Sequence, residues 1–151
     1  MLEESIICNF FEQYSADKRI SLDDYYLLLA HIVALRSTCD VLSTGAVIVK
    51  DRKVLSTGYT GAPRCFEHCC DRGNCWKDNP EIHTCLGIHA AQNAIIFAQD
   101  DLKGATIYIA GYDREHHELV DVKPCYMCMA TIKNAGIDNI ITYAGKRTVE
   151  S

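Results

Sequence analysis

Nine cysteines in a chain of 151 residues restrict its possible folds more than any other feature of the sequence. A small secreted protein would use that density for disulfides, but the number is odd and the N-terminal segment lacks the basic start of a signal peptide. A chain of this length also buries a layered core without covalent cross-links. We therefore interpret the cysteines mainly as metal ligands and expect a cytoplasmic protein.

The overall charge and hydropathy disfavour two classes of partner. The net charge is -5 and the pI about 5.6, whereas nucleic-acid-binding domains present a basic face. No run of about 18 apolar residues is present, so we expect neither a transmembrane helix nor a membrane partner. A small anionic ligand remains compatible with this composition, because a few local cations and backbone amides are enough to bind one.

The order of periodic segments predicts an α/β fold. The segment SLDDYYLLLAHIVALRS has helical spacing with Ser21 as its N-cap, and two β-prone runs around residues 50–53 predict a hairpin. The later elements are a helix over 88–98, a strand over 105–111, a helix that starts at or near Pro124 and ends at Gly136, and a strand over 137–145. Strands joined through helices predict a three-layer α/β/α sandwich with a mixed sheet of about five strands.

A single domain over residues 1–151 is expected, with one irregular insertion at about 62–86. This insertion is rich in Cys, Gly, Asn and Asp and has too few apolar residues to order itself by burial. A bound metal ion can supply the missing folding free energy.

The segment PCYMC at residues 124–128 predicts one half of a metal site. Two cysteines three residues apart on the first turn of a helix share one face, and that helix end favours thiolate over thiol. His89, near the start of another predicted helix, is the obvious third ligand for a zinc ion that keeps one position open. The alternatives are a redox pair, two buried cysteines, or a purely structural histidine.

The segments around these residues carry a resemblance to a known family. HAAQNAI at 89–95 and PCYMC fit the H-x-E…P-C-x-x-C pattern except at one position, and RSTCDVLSTGAVIV and STGYTGAPR extend the match. The chain thus resembles the deoxycytidylate (dCMP) deaminases of the cytidine deaminase superfamily over about residues 36–143. The resemblance implies a cytidine deaminase-like fold, a catalytic zinc on His89, Cys125 and Cys128, and hydrolysis of dCMP to dUMP and ammonia.

Ala91 stands where the resemblance implies a proton-shuttling glutamate. A methyl group neither accepts nor donates a proton, so we expect this chain to be nearly inactive as a deaminase while its fold and zinc site persist. A deliberate Glu-to-Ala change made to trap substrate is one explanation. A natural pseudoenzyme that binds a nucleotide without turnover is the other.

The resemblance also implies further site residues. It suggests a second, structural zinc that draws on Cys39, His68, Cys69, Cys75 and Cys85, without indicating which four, whereas Cys65 and Cys70 depart from the family pattern. Free buried thiols are the alternative for this set. The substrate-binding candidates are Thr60, Arg64, Asn93 and Tyr143, with Arg147 a weaker one, and a turn residue or a solvated charge is an equally good interpretation of each.

Three functions follow from this interpretation. The first is a zinc-dependent dCMP deaminase disabled at Ala91, which by resemblance is a homo-oligomer, for example a hexamer, with dCTP and dTTP as effectors. The second is a deaminase of another nucleotide such as dCTP, or of a base, in the same superfamily. The third is a non-catalytic, nucleotide-binding zinc protein.

Overall fold

A computed structural model describes residues 4–13 and 19–149 of the chain. Its helices are α1 (Glu4–Gln13), α2 (Leu22–Ala34), α3 (Cys69–Arg72), α4 (Ala90–Phe97) and α5 (Tyr126–Asn134), with a 3₁₀ turn at Trp76–Asp78. Its strands are β1 (Leu42–Lys50), β2 (Lys53–Tyr59), β3 (Thr106–Asp113), β4 (Glu118–Val120), β5 (Asn139–Thr142) and β6 (Gly145–Thr148). Within the described ranges, none of the helices is long and apolar enough to cross a membrane.

The strands form one mixed sheet in the order β2-β1-β3-β5-β6. Strand β1 pairs antiparallel with β2 and β3, and β3 pairs parallel with β5. The short strand β4 pairs with the C-terminal end of β3, on the edge that β5 occupies further back. The described sheet thus has six strands rather than about five. Strands β4 and β6 were not predicted because their sequences, ELV and GKRT, are too short and polar to show a strand period.

The two faces of the sheet carry separate apolar cores, which confirms the three-layer α/β/α prediction. Along β1, Val47 and Val49 face the core formed with α2, whereas Ala46 and Ile48 face the core formed with α4 and α5. A strand covered on both faces must be apolar at successive positions. This explains why AVIV is a continuous run rather than an alternation of apolar and polar residues.

Close packing of helices on the sheet depends on two glycines. A Cβ at Gly45 would lie 2.2 Å from the carbonyl oxygen of Ala30 in α2, and one at Gly58 would lie 2.2 Å from the backbone nitrogen of Ala94 in α4. Both helices present alanine at the crossing, and both alanines are fully buried. Because Gly58 fixes how near α4 lies to β2, it also fixes the height of the N-terminus of α4 above the sheet.

The predicted helix and turn signals mostly hold. The Ser21 hydroxyl accepts a hydrogen bond from the backbone of Asp24 at 3.0 Å, as an N-cap does. Gly136, with φ of 77°, ends α5 as expected. Pro124 differs from expectation. Cys125 is the N-cap of α5, so the proline precedes the cap and does not occupy the first helical position.

Substitution Gly58→Ala should destabilise the protein by about 1–3 kcal/mol, because the added methyl overlaps the backbone of α4 and forces it away from the sheet. Urea unfolding measures the free-energy change. The matched control is Lys53→Ala on the exposed start of β2, which should stay within about 0.5 kcal/mol of the original chain. Equal stabilities of the two variants would contradict the close packing of α4 on Gly58.

Candidate metal centre and its cavity

Three potential metal ligands meet where the N-termini of α4 and α5 lie side by side. The Nδ1 atom of His89 is 3.2 Å from Sγ of Cys128 and 3.4 Å from Sγ of Cys125. All three ligand atoms lie within 4.8 Å of one another, and no other group of three or more His, Cys, Asp or Glu side chains in the described residues meets that distance. The structure therefore brings together the three residues that the sequence predicted as ligands.

Each ligand is oriented by the helix end on which it lies. His89 and Cys125 are the N-caps of α4 and α5, and both have extended backbone angles that turn the side chain back towards the free amides of the first turn. The Cys125 sulfur accepts a hydrogen bond from the backbone of Cys128 at 3.5 Å. The backbone of His89 donates to the Gln92 side chain at 3.2 Å. The positions of His89 and Cys125 at these two helix starts thus set the directions of their side chains.

A half-buried amide attaches the His89 segment to the sheet. The Asn93 side chain donates to the carbonyl oxygens of Tyr59, at 2.8 Å, and Ile88, at 3.4 Å. A β-bridge between Gly61 and Ile88 holds the same segment beside the end of β2. Asn93 was a substrate-binding candidate, but it does not line the cavity described below. Its amide hydrogens bind the backbone.

The two sulfurs differ in their affinity for a proton. Burial, with the neighbouring Cys125 sulfur, raises the pKa of Cys128 to about 12. For Cys125, burial acts to raise the pKa as well, but hydrogen bonds from Cys128 and the following backbone outweigh it, and the net pKa is lowered. A cation bound between the two sulfurs would favour the thiolate form of both.

The donor set fits zinc. One imidazole nitrogen and two thiolates are typical zinc ligands, and three protein ligands leave a fourth position for an exchangeable group. Cys128 is buried, while His89 and Cys125 are exposed towards the adjoining cavity. The open position would therefore face that cavity.

A cavity of about 300 Å³ adjoins the three ligands. Thr60, Ala91 and Ile109 line it on the sheet and α4 side, and Val122 and Pro124 line it on the α5 side. Its volume lies at the lower end of the range for small-molecule sites, about 300–1,000 Å³. Ala91 is only 3% exposed and presents a methyl group to this space.

Two lysines that sequence reasoning missed are the only Lys, Arg, Asp or Glu residues among those that line the cavity. Lys77 follows Cys75 by two residues in the 3₁₀ turn, and Lys123 immediately precedes PCYMC. Neither has a hydrogen-bonding or ion-pair partner among the described residues, and no carboxylate lines the cavity. The position of Lys123 directly before PCYMC was the feature of the sequence that could have identified it as a residue near the metal centre.

The remaining substrate candidates lie in different places. Thr60 lines the cavity, and its hydroxyl accepts a hydrogen bond from the backbone of Ala90 at 3.2 Å. The Arg64 guanidinium stacks on Phe97 at 5.7 Å, away from the lining residues. Tyr143 is 63% exposed in the β5–β6 turn, and Arg147 pairs with Asp121 at 3.1 Å. Of these residues, only Thr60 borders the cavity.

The Cys-rich insertion surrounds a second, smaller cavity of about 30 Å³. Its lining includes the four cysteines Cys39, Cys69, Cys75 and Cys85. His68 is outside this lining, and its Nδ1 lies 3.0 Å from the Thr38 hydroxyl. Burial raises the pKa of the Cys69 thiol. The nearby sulfur of Cys75 also raises it, whereas a hydrogen bond from the backbone of Trp76 lowers it. The four sulfurs border one space without reaching ligand spacing.

A small aromatic cluster lies within this insertion, which the sequence predicted to have too few apolar residues to order itself. Trp76 is buried and donates its indole N–H to the Glu67 carbonyl at 2.9 Å. Arg72 stacks on the indole at 3.8 Å, and Phe66 packs against it edge-on at 5.9 Å. A single tryptophan with saturated polar contacts thus supplies the local core that composition alone did not reveal.

The fold and the site define an α/β/α protein with a solvent-open centre of one histidine and two cysteines at paired helix N-termini. The family model for the cytidine and deoxycytidylate deaminase zinc-binding region matches residues 20–144. The chain belongs to that family.

Relatives and solved structures agree with this assignment. The chain is 37% identical to the deoxycytidylate deaminase of Saccharomyces cerevisiae over 82% of its own length, but it spans only 38% of that protein. It is 35% identical to the deoxycytidylate deaminase of Mycobacterium phage D29, covering 79% of this chain and 91% of the phage protein. Its fold is similar to that of a dCMP deaminase from the cyanophage S-TIM5, with a TM-score of 0.60, 23% identity and 82% of each chain covered.

Proposed function

We propose that this chain is a zinc-dependent dCMP deaminase whose catalytic step is disabled at Ala91. The observation that carries the proposal is an otherwise complete site in which a methyl group replaces the proton-transferring side chain. Ala91 is the second residue of α4, two positions after His89, and lines the cavity. The relatives named as deoxycytidylate deaminases support dCMP as the substrate.

The proposed reaction converts dCMP and water to dUMP and ammonia. The oxygen of water forms a bond to C4 of the cytosine ring, and the bond from C4 to the amino nitrogen breaks. One proton of the water must reach the ring nitrogen N3 and another must leave with the amine, so a group that both accepts and donates protons is required.

His89, Cys125 and Cys128 would hold the zinc ion. When bound, zinc lowers the pKa of water and so makes a nucleophile available at neutral pH. The chain's own contribution is to orient these ligands through two helix N-termini and to supply an apolar cavity for the pyrimidine. Ile109, Val122 and Pro124 provide that apolar lining.

In this proposal, Ala91 prevents the proton transfer but leaves nucleotide binding intact. It removes no metal ligand and no cavity wall, so nucleotide binding should persist. It also provides no atom that can carry a proton from water to N3. The loss of a positioned acid and base costs about 10²–10⁴-fold in rate, and more where one group serves several steps.

Lys77 and Lys123 favour a nucleotide over a nucleoside or a free base. Both lysines border the cavity without a partner among the described residues, and the backbone amides at the start of α5 are close to Lys123. Ammonium groups and helix N-termini are common phosphate-binding groups. The single phosphate group of dCMP would contact this pair of lysines. The triphosphate dCTP is the alternative substrate.

A second, structural zinc is proposed in the insertion. The four cysteines that line the small cavity, rather than His68, are the proposed ligands. Binding would draw their sulfurs together and deprotonate them. Assembly into a homo-oligomer and regulation by dCTP and dTTP remain predictions from the family resemblance.

Substitution Ala91→Glu should restore deamination by at least about 10²-fold, because a carboxyl group would then reach into the cavity beside the ligands. Ammonia release from dCMP measures the gain. Ala91→Gln, which has the same length but moves no proton, is the matched control and should stay at background. No gain with glutamate would contradict the proposed reaction and favour a non-catalytic, nucleotide-binding zinc protein.

Substitution Lys123→Ala should weaken dCMP binding about tenfold or more while leaving deoxycytidine binding unchanged, because a charge-assisted contact to phosphate is lost. Lys77→Ala should act in the same direction. Calorimetry on the present chain is suitable, since slow turnover leaves the ligand unaltered. The control is Lys133→Ala, on the exposed last turn of α5 away from the cavity. Equal affinities for nucleoside and nucleotide would oppose the phosphate role.

Metal analysis of the purified chain should give two zinc ions per chain. Cys128→Ser and Cys75→Ser should each lower the content to about one, because each removes a ligand from a different site. Cys70→Ser, at an exposed cysteine outside both cavities, should leave it at two. One zinc in the unsubstituted chain would remove the second site from the proposal.

A further inference from the structure

The segment of residues 121–125 contributes four of the residues that line the cavity, at positions 122–125. It connects β4 to α5 and contains both Lys123 and Cys125. This segment has no regular secondary structure, so its position depends on side-chain contacts at its start. Val122 packs so closely on β3 that a Cβ at Gly111 would lie 2.0 Å from its Cγ2 atom.

The Asp121 carboxylate binds the segment to the hairpin formed by β5 and β6. Its Oδ1 atom accepts hydrogen bonds from the Thr142 hydroxyl and from the backbone N–H of Ala144, the latter at 3.1 Å. Its Oδ2 atom accepts from the Arg147 guanidinium at 3.1 Å. The pKa of Asp121 is lowered, mainly by the hydrogen bond from Thr142. The contacts with Ala144 and Arg147 also lower it, whereas burial acts in the opposite direction. The carboxylate is therefore charged when it makes these contacts.

Asp121 itself does not line the cavity. Among the described residues, its side-chain hydrogen bonds all go to the hairpin, and Thr142 is 1% exposed, so the anchoring point belongs to the core. Anything that Asp121 does for the site must therefore act through the residues that follow it.

We propose that Asp121 is a positioning residue that holds Lys123 and Cys125 at the cavity by clamping their segment to the β5–β6 hairpin. The hairpin, which lies outside the site, thereby contributes to both metal and nucleotide binding. The nucleotide part of this inference rests on the proposed function, whereas the metal part rests on the cluster of His89, Cys125 and Cys128 alone.

Two variants separate the contacts of the clamp. Asp121→Ala removes all three, whereas Asp121→Asn keeps an oxygen for Thr142 and Ala144 and loses both the hydrogen-bond acceptor and the charge opposite Arg147. The control is Asp101→Ala, which removes an exposed carboxylate that is paired with Lys50 at 3.3 Å and lies away from the cavity. Zinc affinity is measured by chelator competition, and affinities for dCMP and deoxycytidine by calorimetry.

Asp121→Ala should lower zinc affinity and reduce the preference for dCMP over deoxycytidine by about tenfold, because loss of buried hydrogen bonds frees Lys123 and Cys125 to move. Asp121→Asn should recover most of both values, and Asp101→Ala should change neither. The inference is overturned if Asp121→Ala matches Asp101→Ala in both readouts, or if its only effect is a lower unfolding temperature. A chain that binds neither nucleotide nor nucleoside contradicts the proposed function instead, and zinc affinity still tests the clamp.

Discussion

The contact between the N-terminus of α4 and the N-terminus of α5 is the constraint on which the site depends. His89 and Cys128 are 39 residues apart in sequence, yet their donor atoms lie 3.2 Å apart. That distance requires α4 to pack closely on the sheet, which the absence of a side chain at Gly58 allows. It also requires α5 to begin at the right height, which the segment after β4 determines. The packing of α4 and α5 on the sheet therefore sets the distances between the candidate ligand atoms.

Locating the ligands on helix ends has an electrostatic consequence. The unpaired amides and the dipole of each first turn favour negative charge, which suits thiolates and a phosphate alike. The chain carries a net charge of -5, but the cavity lining contains two lysines and no carboxylate. The overall charge of the chain therefore gave no information on the charge around this cavity. An acidic protein thus has a cavity whose lining carries positive charge.

The sequence predicted the features that have a local signature. Helix α2, the β1–β2 hairpin and the Cys125–Cys128 pair follow from periodicity, caps and motif spacing, all of which act within about ten residues, whereas adding His89 to the pair drew on a predicted helix start 36 residues earlier. The contacts of Asp121 with Thr142 and Arg147 span 21 and 26 residues and leave no local pattern. Asn93 shows a further limit, because an amide at helical spacing from His89 is equally suited to a ligand or to the backbone. In the structure the amide hydrogens of Asn93 are bound to the carbonyl oxygens of Tyr59 and Ile88.

The cavity at the candidate metal centre and the cavity in the insertion share some of their lining residues. Cys39, Cys75 and Cys85 line both the large cavity and the small one, and Lys77 follows Cys75 within the same turn. The polar contacts of Trp76 hold this turn in place on the insertion side. A change in the packing of the insertion therefore alters the shape and charge of the large cavity without touching His89 or the α5 cysteines. For that reason the cavity depends on two supports, the insertion on one side and the segment after β4 on the other, and each support contributes one lysine.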